Sequence, residues 1–189
     1  MIVAKRLDEI LVIDVEATCW EGKAPDGQMN DIIEVGLTLV NVQTFELSGK
    51  RSILVRPDRS TVSPFCTSLT TITQEMVDEQ GVSFAEACKI LRKEYDSRDR
   101  LWASWGDYDR RQFERECRER GVGYPFGVSH MNVKTLFAIL HGHTRETGAR
   151  HAVESLGYTF EGTHHRGHDD AWNIATTLSH LLKTHRAVI

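Results

Sequence analysis

Two carboxylates of the sequence are placed where a pair of acids could bind a cation. Asp14 and Glu16 are two residues apart and follow the aliphatic run at residues 10–13. Because side chains of a β-strand alternate between its faces, both carboxylates are predicted on one side of a sheet. Neighbouring carboxylates repel each other, so a cation or a basic side chain must compensate them unless water solvates them at the strand end. The pair alone leaves these alternatives open.

Helical spacing indicates a third inward-facing acid. A helix is predicted over 109–120, and Asp109, Phe113 and Cys117 recur along its only apolar stripe. Asp109 is therefore predicted to face inward, although an acid in a first helical turn also stabilises the helix dipole. Asp107 precedes this helix and is interpreted as an N-terminal cap or a solvated acid.

The last predicted helix, over 169–182, begins with two adjacent acids. On a helical wheel, Asp170 lies at the edge of the apolar arc, whereas Asp169 lies among polar residues. Asp170 is therefore predicted to face the core, and Asp169 the solvent. Capping of the helix N-terminus by both acids is the alternative interpretation.

One histidine completes a set of residues suited to phosphodiester hydrolysis. His165 lies five positions before Asp170, in the glycine-containing loop 162–167, where an imidazole can swing over a metal site. In two-metal hydrolysis, acids hold two cations about 4 Å apart, one activating a water and the other stabilising the leaving oxygen. A histidine takes the proton of the water near neutral pH.

The elements that must position these residues alternate along the chain. Strands are predicted over 10–13, 32–42, 52–55, 101–105 and 127–131, and helices over 83–97, 109–120, 133–140, 147–156 and 169–182. Residues 48–49, Ser-Gly, are predicted to turn a hairpin between the second and third strands. This order favours one α/β domain over 1–189, with a mixed five-stranded sheet flanked by helices.

Composition and charge exclude several classes of protein. Hydrophobic residues make up 40% of the 189 residues, and 14 glycines bring the chain into the globular range, which excludes disorder as its main state. The formal net charge is −4, which excludes a strongly basic coat for nucleic acid but not binding of a few nucleotides through metal ions.

Cysteine spacing and hydropathy indicate the cellular compartment in which the protein is expected. The four cysteines form no C-x-x-C pair, so reduced thiols are expected. The N-terminal segment has charges inside its apolar stretch, unlike a signal peptide, and no apolar run reaches the ~20 residues of a membrane span. A cytoplasmic location without a membrane partner is expected.

Five segments of the chain resemble, in order, the motifs of the DEDDh 3′-to-5′ exonucleases, and in particular of their Eri-type branch, which includes the 3′ histone-mRNA exonuclease. The segments are DVEATCWEG from residue 14, IIEVG from 32, VRP with FCTSLTTIT over 55–77, WGDYD from 105 and HHRGHDDAWNIA from 164. The resemblance implies a ribonuclease H-like fold with Asp14, Glu16, Asp109 and Asp170 as metal ligands and His165 as catalytic base. It also implies two Mg²⁺ ions, with Mn²⁺ as a substitute, and release of nucleoside 5′-monophosphates from a free 3′ end.

The resemblance also assigns candidate substrate contacts. Ala17, Thr18 and Cys19 correspond to residues that accept the 3′-terminal sugar. Aromatic side chains in or beside the motifs are candidates for base stacking, with core packing as the alternative; they are Trp20, Phe65, Trp105 and Tyr108. His168 departs from the family pattern, because relatives have an apolar residue there, and it adds a second titratable ring near His165.

The function expected from these residues is hydrolysis of single-stranded RNA from its free 3′ end, with DNA as a further substrate. Two alternatives remain. One is a DNA proofreading or repair 3′-to-5′ exonuclease, and the other is a non-catalytic RNA-binding adaptor that keeps the same fold. Only RNA offers a 2′-hydroxyl, so competition between matched RNA and DNA strands distinguishes the two enzymes.

Overall fold

A long central strand with neighbours on both sides forms the middle of the sheet. In the computed structural model, which describes residues 6–186, the strands are β1 (Arg6–Ala17), β2 (Ile32–Asn41), β3 (Leu47–Leu54), β4 (Arg100–Ser104) and β5 (His130–Asn132). Their order is β3-β2-β1-β4-β5. The β1/β2 and β2/β3 pairs are antiparallel, and the β1/β4 and β4/β5 pairs are parallel. The predicted mixed five-stranded sheet is confirmed.

Seven helices lie within residues 6–186. They are α1 (Pro64–Thr70), α2 (Gln74–Gln80), α3 (Phe84–Glu94), α4 (Tyr108–Arg120), α5 (Val133–Leu140), α6 (Ala149–Ser155) and α7 (Gly167–His185). The last five correspond to the five predicted helices. The first two have no counterpart in the sequence prediction, because seven residues are too few to define a period.

The side chains of β1 alternate between two cores. Leu11 and Ile13 belong to the core that includes α3 and α4, whereas Ile10 and Val12 belong to the core that includes α7. Asp14 continues the second set, because it has the same parity along the strand as Val12. The sheet therefore directs the first predicted acid toward α7.

The N-terminus of α7 lies directly against the sheet. A Cβ atom placed on Gly36 would lie 1.8 Å from the carbonyl carbon of Gly167, so no side chain fits at position 36. A Cβ on Gly167 would in turn lie 3.0 Å from the carbonyl oxygen of Asp14. Backbone contact thus fixes the start of α7 beside the end of β1.

The hairpin between β2 and β3 differs from the prediction. The predicted turn at residues 48–49 is wrong, because both residues lie inside β3, which begins at Leu47. Asn41 forms the turn instead, since its side-chain oxygen accepts hydrogen bonds from the backbone N–H groups of Gln43 and Thr44, each at 2.9 Å. An asparagine side chain that mimics a backbone acceptor outweighs the glycine signal here.

The fifth strand is shorter than predicted. The sequence predicts it over 127–131, whereas the structure has it at His130–Asn132. The predicted single domain over 1–189 stays a prediction, since residues 1–5 and 187–189 lie outside the described residues. Among residues 6–186, no helix combines the length and the apolar character needed to cross a membrane.

Candidate active site

A cavity of about 420 Å³ opens at the C-terminal end of β1. The starts of α4 and α6 and the loop before α7 surround it, and α1 closes one side. The four carboxylates and the imidazole predicted from the sequence all line this cavity, together with a second imidazole; these residues are Asp14, Glu16, Asp109, Asp170, His165 and His164. The fold thus gathers residues that are up to 156 positions apart (170 − 14).

Three of the acids converge on one point. One carboxylate oxygen from each of Asp14, Glu16 and Asp170 lies within 4.8 Å of the other two. Asp14 and Glu16 are at the end of β1, and Asp170 is in the first turn of α7. The backbone contact between Gly36 and Gly167 holds these two elements together.

The fourth acid reaches the same place from α4. Asp109 is 3% exposed, and its Oδ1 accepts a hydrogen bond from the backbone N–H of Val15 at 2.9 Å. This bond holds its carboxylate against the end of β1, in agreement with the predicted inward orientation. Asp107 occupies the N-cap position of α4 but makes no capping hydrogen bond, and its carboxylate lies 3.5 Å from Arg110 instead.

The carboxylates of the cavity repel one another. Burial, and then the charges of Asp170 and Glu34, raise the pKa of Glu16 to about 8. Burial also raises the pKa of Asp170 to about 7 and of Asp109 to about 6, and it raises the pKa of Asp14 well above its usual range. The cluster therefore retains protons at neutral pH unless positive charge is supplied.

The surroundings of the cluster fit a divalent metal. In the described part of the chain, no lysine or arginine lies within ion-pair distance of these four acids, and none lines the cavity. Carboxylate oxygens are the ligands that Mg²⁺ and other hard divalent cations prefer. A cation is thus the compensating charge that the arrangement of acids requires.

His165 is tied to the acid cluster through its backbone. It has a left-handed conformation with a φ of 65°, and its N–H donates to Oδ2 of Asp170 at 2.7 Å. Its ring centroid lies 3.9 Å from that of His164. Burial, and then the charge of Arg150, lower the pKa of His165. The imidazole is therefore neutral at pH 7 and can accept a proton.

A buried glutamate that the sequence analysis did not single out holds the loop of His165. Glu34, on β2, is fully buried and accepts hydrogen bonds from the backbone N–H of Gly167 at 2.9 Å and from Nδ1 of His168 at 2.8 Å. Nε of Arg166 donates to the same carboxylate at 3.2 Å. Glu34 lies within the matched segment IIEVG, which was the only available signal.

The prediction that Asp169 faces solvent is wrong. Its side chain is 10% exposed, and its Oδ1 lies 2.6 Å from Nζ of Lys50 on β3. Its other oxygen accepts a hydrogen bond from the backbone N–H of Thr163 at 2.8 Å, because the loop folds back over the helix at Gly162. A helical wheel detects apolar faces only, so it cannot indicate a polar face that a loop and an ion pair cover.

The predicted substrate-binding residues divide into two sets. Those that line the cavity are Ala17, Cys19, Trp105 and Tyr108. Those that do not are Thr18, Trp20 and Phe65. Thr18 is fully buried, and its hydroxyl oxygen accepts a hydrogen bond from the backbone N–H of Asp31 at 2.9 Å. Phe65 is 39% exposed on α1, one turn before Leu69, which does line the cavity.

Five lining residues were not identified from the sequence. They are Val15, Leu69, Gly148, Ala149 and His164. Val15, Leu69 and His164 lie inside matched segments, so the motifs indicated their neighbourhood. A helix was predicted over 147–156, but nothing in the sequence marked its start as part of the site. Nε2 of His164 lies 3.8 Å from Oδ1 of Asp170, which places this second imidazole beside the cluster.

Known proteins resemble this chain in both sequence and structure. The exonuclease family model RNase_T matches residues 11–178. Human 3′-5′ exoribonuclease 1 is 32% identical over 186 residues, which cover 93% of this chain and 53% of the human protein. The 3′-5′ exonuclease Snipper of Drosophila melanogaster is 27% identical over 92% of this chain and 69% of its own length. The chain thus spans about half the length of the human relative.

A solved structure extends the resemblance to the fold. The nuclease domain of 3′hExo, a DEDDh family member bound to rAMP, superposes with a TM-score of 0.85 at 30% identity, covering 94% of this chain and 93% of that domain. This match confirms the predicted ribonuclease H-like α/β fold and the resemblance to DEDDh enzymes. Because the family model covers most of the sequence, the chain belongs to the exonuclease family.

Proposed function

We propose that this chain is a metal-dependent 3′-to-5′ exonuclease that removes nucleotides from the free 3′ end of single-stranded RNA, with DNA as a secondary substrate. The observation that carries this proposal is the convergence of four acids from β1, α4 and α7 with His165 around one cavity. The relatives support the choice of RNA, since one is named an exoribonuclease and another structure holds rAMP.

The acids would hold the metals. Asp14, Glu16 and Asp170 offer three oxygens within 4.8 Å of one another, and Asp109 adds a fourth carboxylate. We assign them to two Mg²⁺ ions, with Mn²⁺ as a substitute. When bound, such ions lower the pKa of a water and stabilise the negative charge of the leaving oxygen.

His165 would act as the general base. Its neutral imidazole has a ring nitrogen free to take the proton of the attacking water, and the hydrogen bond from its N–H to Asp170 keeps it beside the cluster. Glu34 supports this placement by binding the three residues that follow His165. Water attack on the terminal phosphodiester releases a nucleoside 5′-monophosphate and leaves a new 3′-hydroxyl on the shortened strand.

The cavity would accept the terminal nucleotide. Its volume of about 420 Å³ lies within the range of small-ligand sites. Trp105 and Tyr108 would provide aromatic surface for the base. Ala17 and Cys19 line the same cavity and would contact the terminal sugar. Trp105 is held in place because its indole N–H donates to the carbonyl oxygen of Thr147 at 3.0 Å.

We also propose a cytoplasmic location. All four cysteines are free thiols, and three of them are buried, which suits a reducing compartment. This assignment is independent of the chemistry of the site. Localisation of the tagged full-length protein by fluorescence microscopy would test it.

The decisive experiment is a time course with Mg²⁺ on one RNA strand labelled at its 5′ end and, separately, at its 3′ end. The first label is expected in a ladder of shortening strands, and the second in a nucleoside 5′-monophosphate from the earliest time point. Internal fragments would contradict the proposed polarity. Faster hydrolysis of the matched DNA would favour the DNA enzyme, and binding without cleavage would favour the adaptor.

A further inference from the structure

Arg150 lies beside the catalytic cavity without a role in the chemistry described above. It is the second residue of α6, and the two residues before it, Gly148 and Ala149, both line the cavity. Arg150 follows them directly in the chain, although it does not itself line the cavity. The arginine is exposed to solvent at this edge.

A row of rings connects Arg150 to the catalytic histidine. The guanidinium carbon lies 4.9 Å from the centre of the Phe160 ring, which positions the charge without neutralising it. The Phe160 ring lies 5.5 Å from His164, whose ring lies 3.9 Å from that of His165. Two ring contacts, through Phe160, therefore connect the guanidinium to His164, which lines the cavity.

The charge of Arg150 acts on three residues of the cavity. After burial, it contributes to the lowered pKa of His165, and it contributes in the same direction at His164. It also opposes the effect of burial on the pKa of Asp170. These effects agree with the ring contacts in placing the guanidinium near the mouth of the site.

Arg150 also differs from other arginines of the structure. Arg59, Arg100, Arg120 and Arg166 each lie within 4 Å of a carboxylate. Within residues 6–186, by contrast, the Arg150 side chain makes neither an ion pair nor a hydrogen bond. A guanidinium positioned by an aromatic ring, with all its N–H groups available, is suited to bind phosphate oxygens in a bidentate manner.

We propose that Arg150 binds a backbone phosphate of the nucleic-acid strand next to the scissile linkage. The proposal rests on the proposed function, because it requires a strand whose 3′ end occupies the cavity. The metals would neutralise the acids of the cavity but leave the other phosphates of the strand unmatched. Arg150 supplies a positive charge for one of them in a chain whose net charge is −4.

The test combines protein variants with strands that lack one charge. Single-stranded RNA decamers carry one neutral methylphosphonate at the second, third or fourth linkage from the 3′ end, and the initial rate of the first cleavage gives kcat/KM. The variants are Arg150→Gln, which removes the charge, and Arg150→Lys, which keeps it. Arg118→Gln is the matched control, because Arg118 is exposed on α4 and lines a separate surface depression.

Arg150→Gln is expected to lower kcat/KM about tenfold on the unmodified strand, the effect of losing one charge-assisted hydrogen bond. At one of the three positions, the methylphosphonate is expected to lower kcat/KM of wild type by about the same factor. The same strand should leave kcat/KM of Arg150→Gln almost unchanged. Arg150→Lys should retain most of the activity, and Arg118→Gln all of it. Equal effects of the methylphosphonates on wild type and Arg150→Gln at every position would overturn the proposal.

A binding measurement separates this inference from the proposed function. Fluorescence anisotropy follows binding of a decamer whose terminal linkage is a methylphosphonate, which blocks removal of the first nucleotide, at several salt concentrations. Loss of one phosphate contact should reduce the slope of log K against log salt by about 0.7 in Arg150→Gln relative to wild type. If wild type binds but does not cleave unmodified RNA, the proposed function fails, while an unchanged slope refutes the role of Arg150.

Discussion

Glu16 and Glu34 face each other across the β1/β2 pair, yet they have opposite electrostatic properties. Burial raises the pKa of Glu16 to about 8, and the neighbouring carboxylates add to this effect. Burial acts on Glu34 in the same direction, but hydrogen bonds from His168 and Arg166 outweigh it, and the pKa of Glu34 falls to about 2. Two directly paired glutamates thus differ because only one has donors around it.

This difference in pKa distinguishes an acid that stabilises the site from acids that are available to bind a cation. Glu34 is a structural carboxylate, since its partners are provided by the protein and it stabilises the loop of His165. Glu16 belongs to a cluster that the protein leaves uncompensated, and such a cluster costs stability. A fold that retains it needs a cation to complete the site, which is the basis for assigning the metal ligands.

The largest expected effect concerns the uncompensated cluster. Asp14→Asn should lower hydrolysis by about 10³-fold or more, because it removes one of the proposed metal ligands. The same variant should be more stable than wild type in EDTA, since one repelling charge is gone. Initial rates and thermal unfolding in EDTA measure the two effects.

The matched control is Asp107→Asn, which removes a carboxylate at the start of the same helix as Asp109 but outside the cavity. It should keep near-wild-type activity. Equal losses in Asp14→Asn and Asp107→Asn would show that general charge, not a metal site, determines the rate.

The second effect concerns the proposed base, His165, whose loop Glu34 holds in place. His165→Ala should lower kcat by about 10²-fold, the usual contribution of a general base. In wild type, kcat should fall as the pH drops through the lowered pKa of His165, and the variant should lose this limb of the pH profile. His143→Ala, at an exposed histidine, is the control. A larger loss of kcat in His164→Ala than in His165→Ala would assign the role of general base to His164.

The third effect compares the paired glutamates directly. Glu34→Gln should lower the free energy of unfolding by about 2 kcal/mol or more, because it leaves buried donors without a carboxylate. Glu16→Gln should raise the free energy of unfolding in EDTA, since the amide carries no charge. Urea unfolding of both variants in EDTA measures the difference. Changes of the same sign in the two variants would refute the distinction.

The smallest effect is a pH dependence of stability in EDTA. The folded state holds more protons than the unfolded state wherever the pKa of Glu16 is raised, so stability should fall as the pH rises from 4.5 toward about 8. Glu34 contributes in the opposite sense, since its stabilisation is lost only as the pH falls below 4.5 toward about 2. Calorimetric Tm values at pH 5 and pH 8 should therefore be higher at pH 5, and Mg²⁺ should reduce the difference. A higher Tm at pH 8 in EDTA would contradict the electrostatic account.

The sequence predicted most of the fold and the acids of the site. Strand alternation predicted the common face of Asp14 and Glu16. Helical spacing predicted the inward orientation of Asp109 and Asp170. These signals worked because each depends on local periodicity. His165 lies in a loop, which has no period; its position shortly before Asp170 singled it out, and the family resemblance then implied its role as the catalytic base.

The failures share a physical cause. Glu34 and Asp169 owe their environments to residues far away in the sequence, such as His168 for Glu34 and Lys50 for Asp169. A polar residue with distant partners has no local pattern, so periodicity assigns it to solvent by default. Pairs of this kind become visible only when the loop before α7 is folded against the sheet.

The contact between Gly36 and Gly167 limits how the site can be altered. With no side chain between the two backbones, there is no spacer whose size could be changed to widen or narrow the gap between Asp14 and Asp170. Engineering a preference for a larger or smaller ion would have to exchange the ligands themselves, since the frame that holds them does not adjust. The start of α6, by contrast, also lines the cavity but lies outside this contact, so its composition can vary without moving the two backbones.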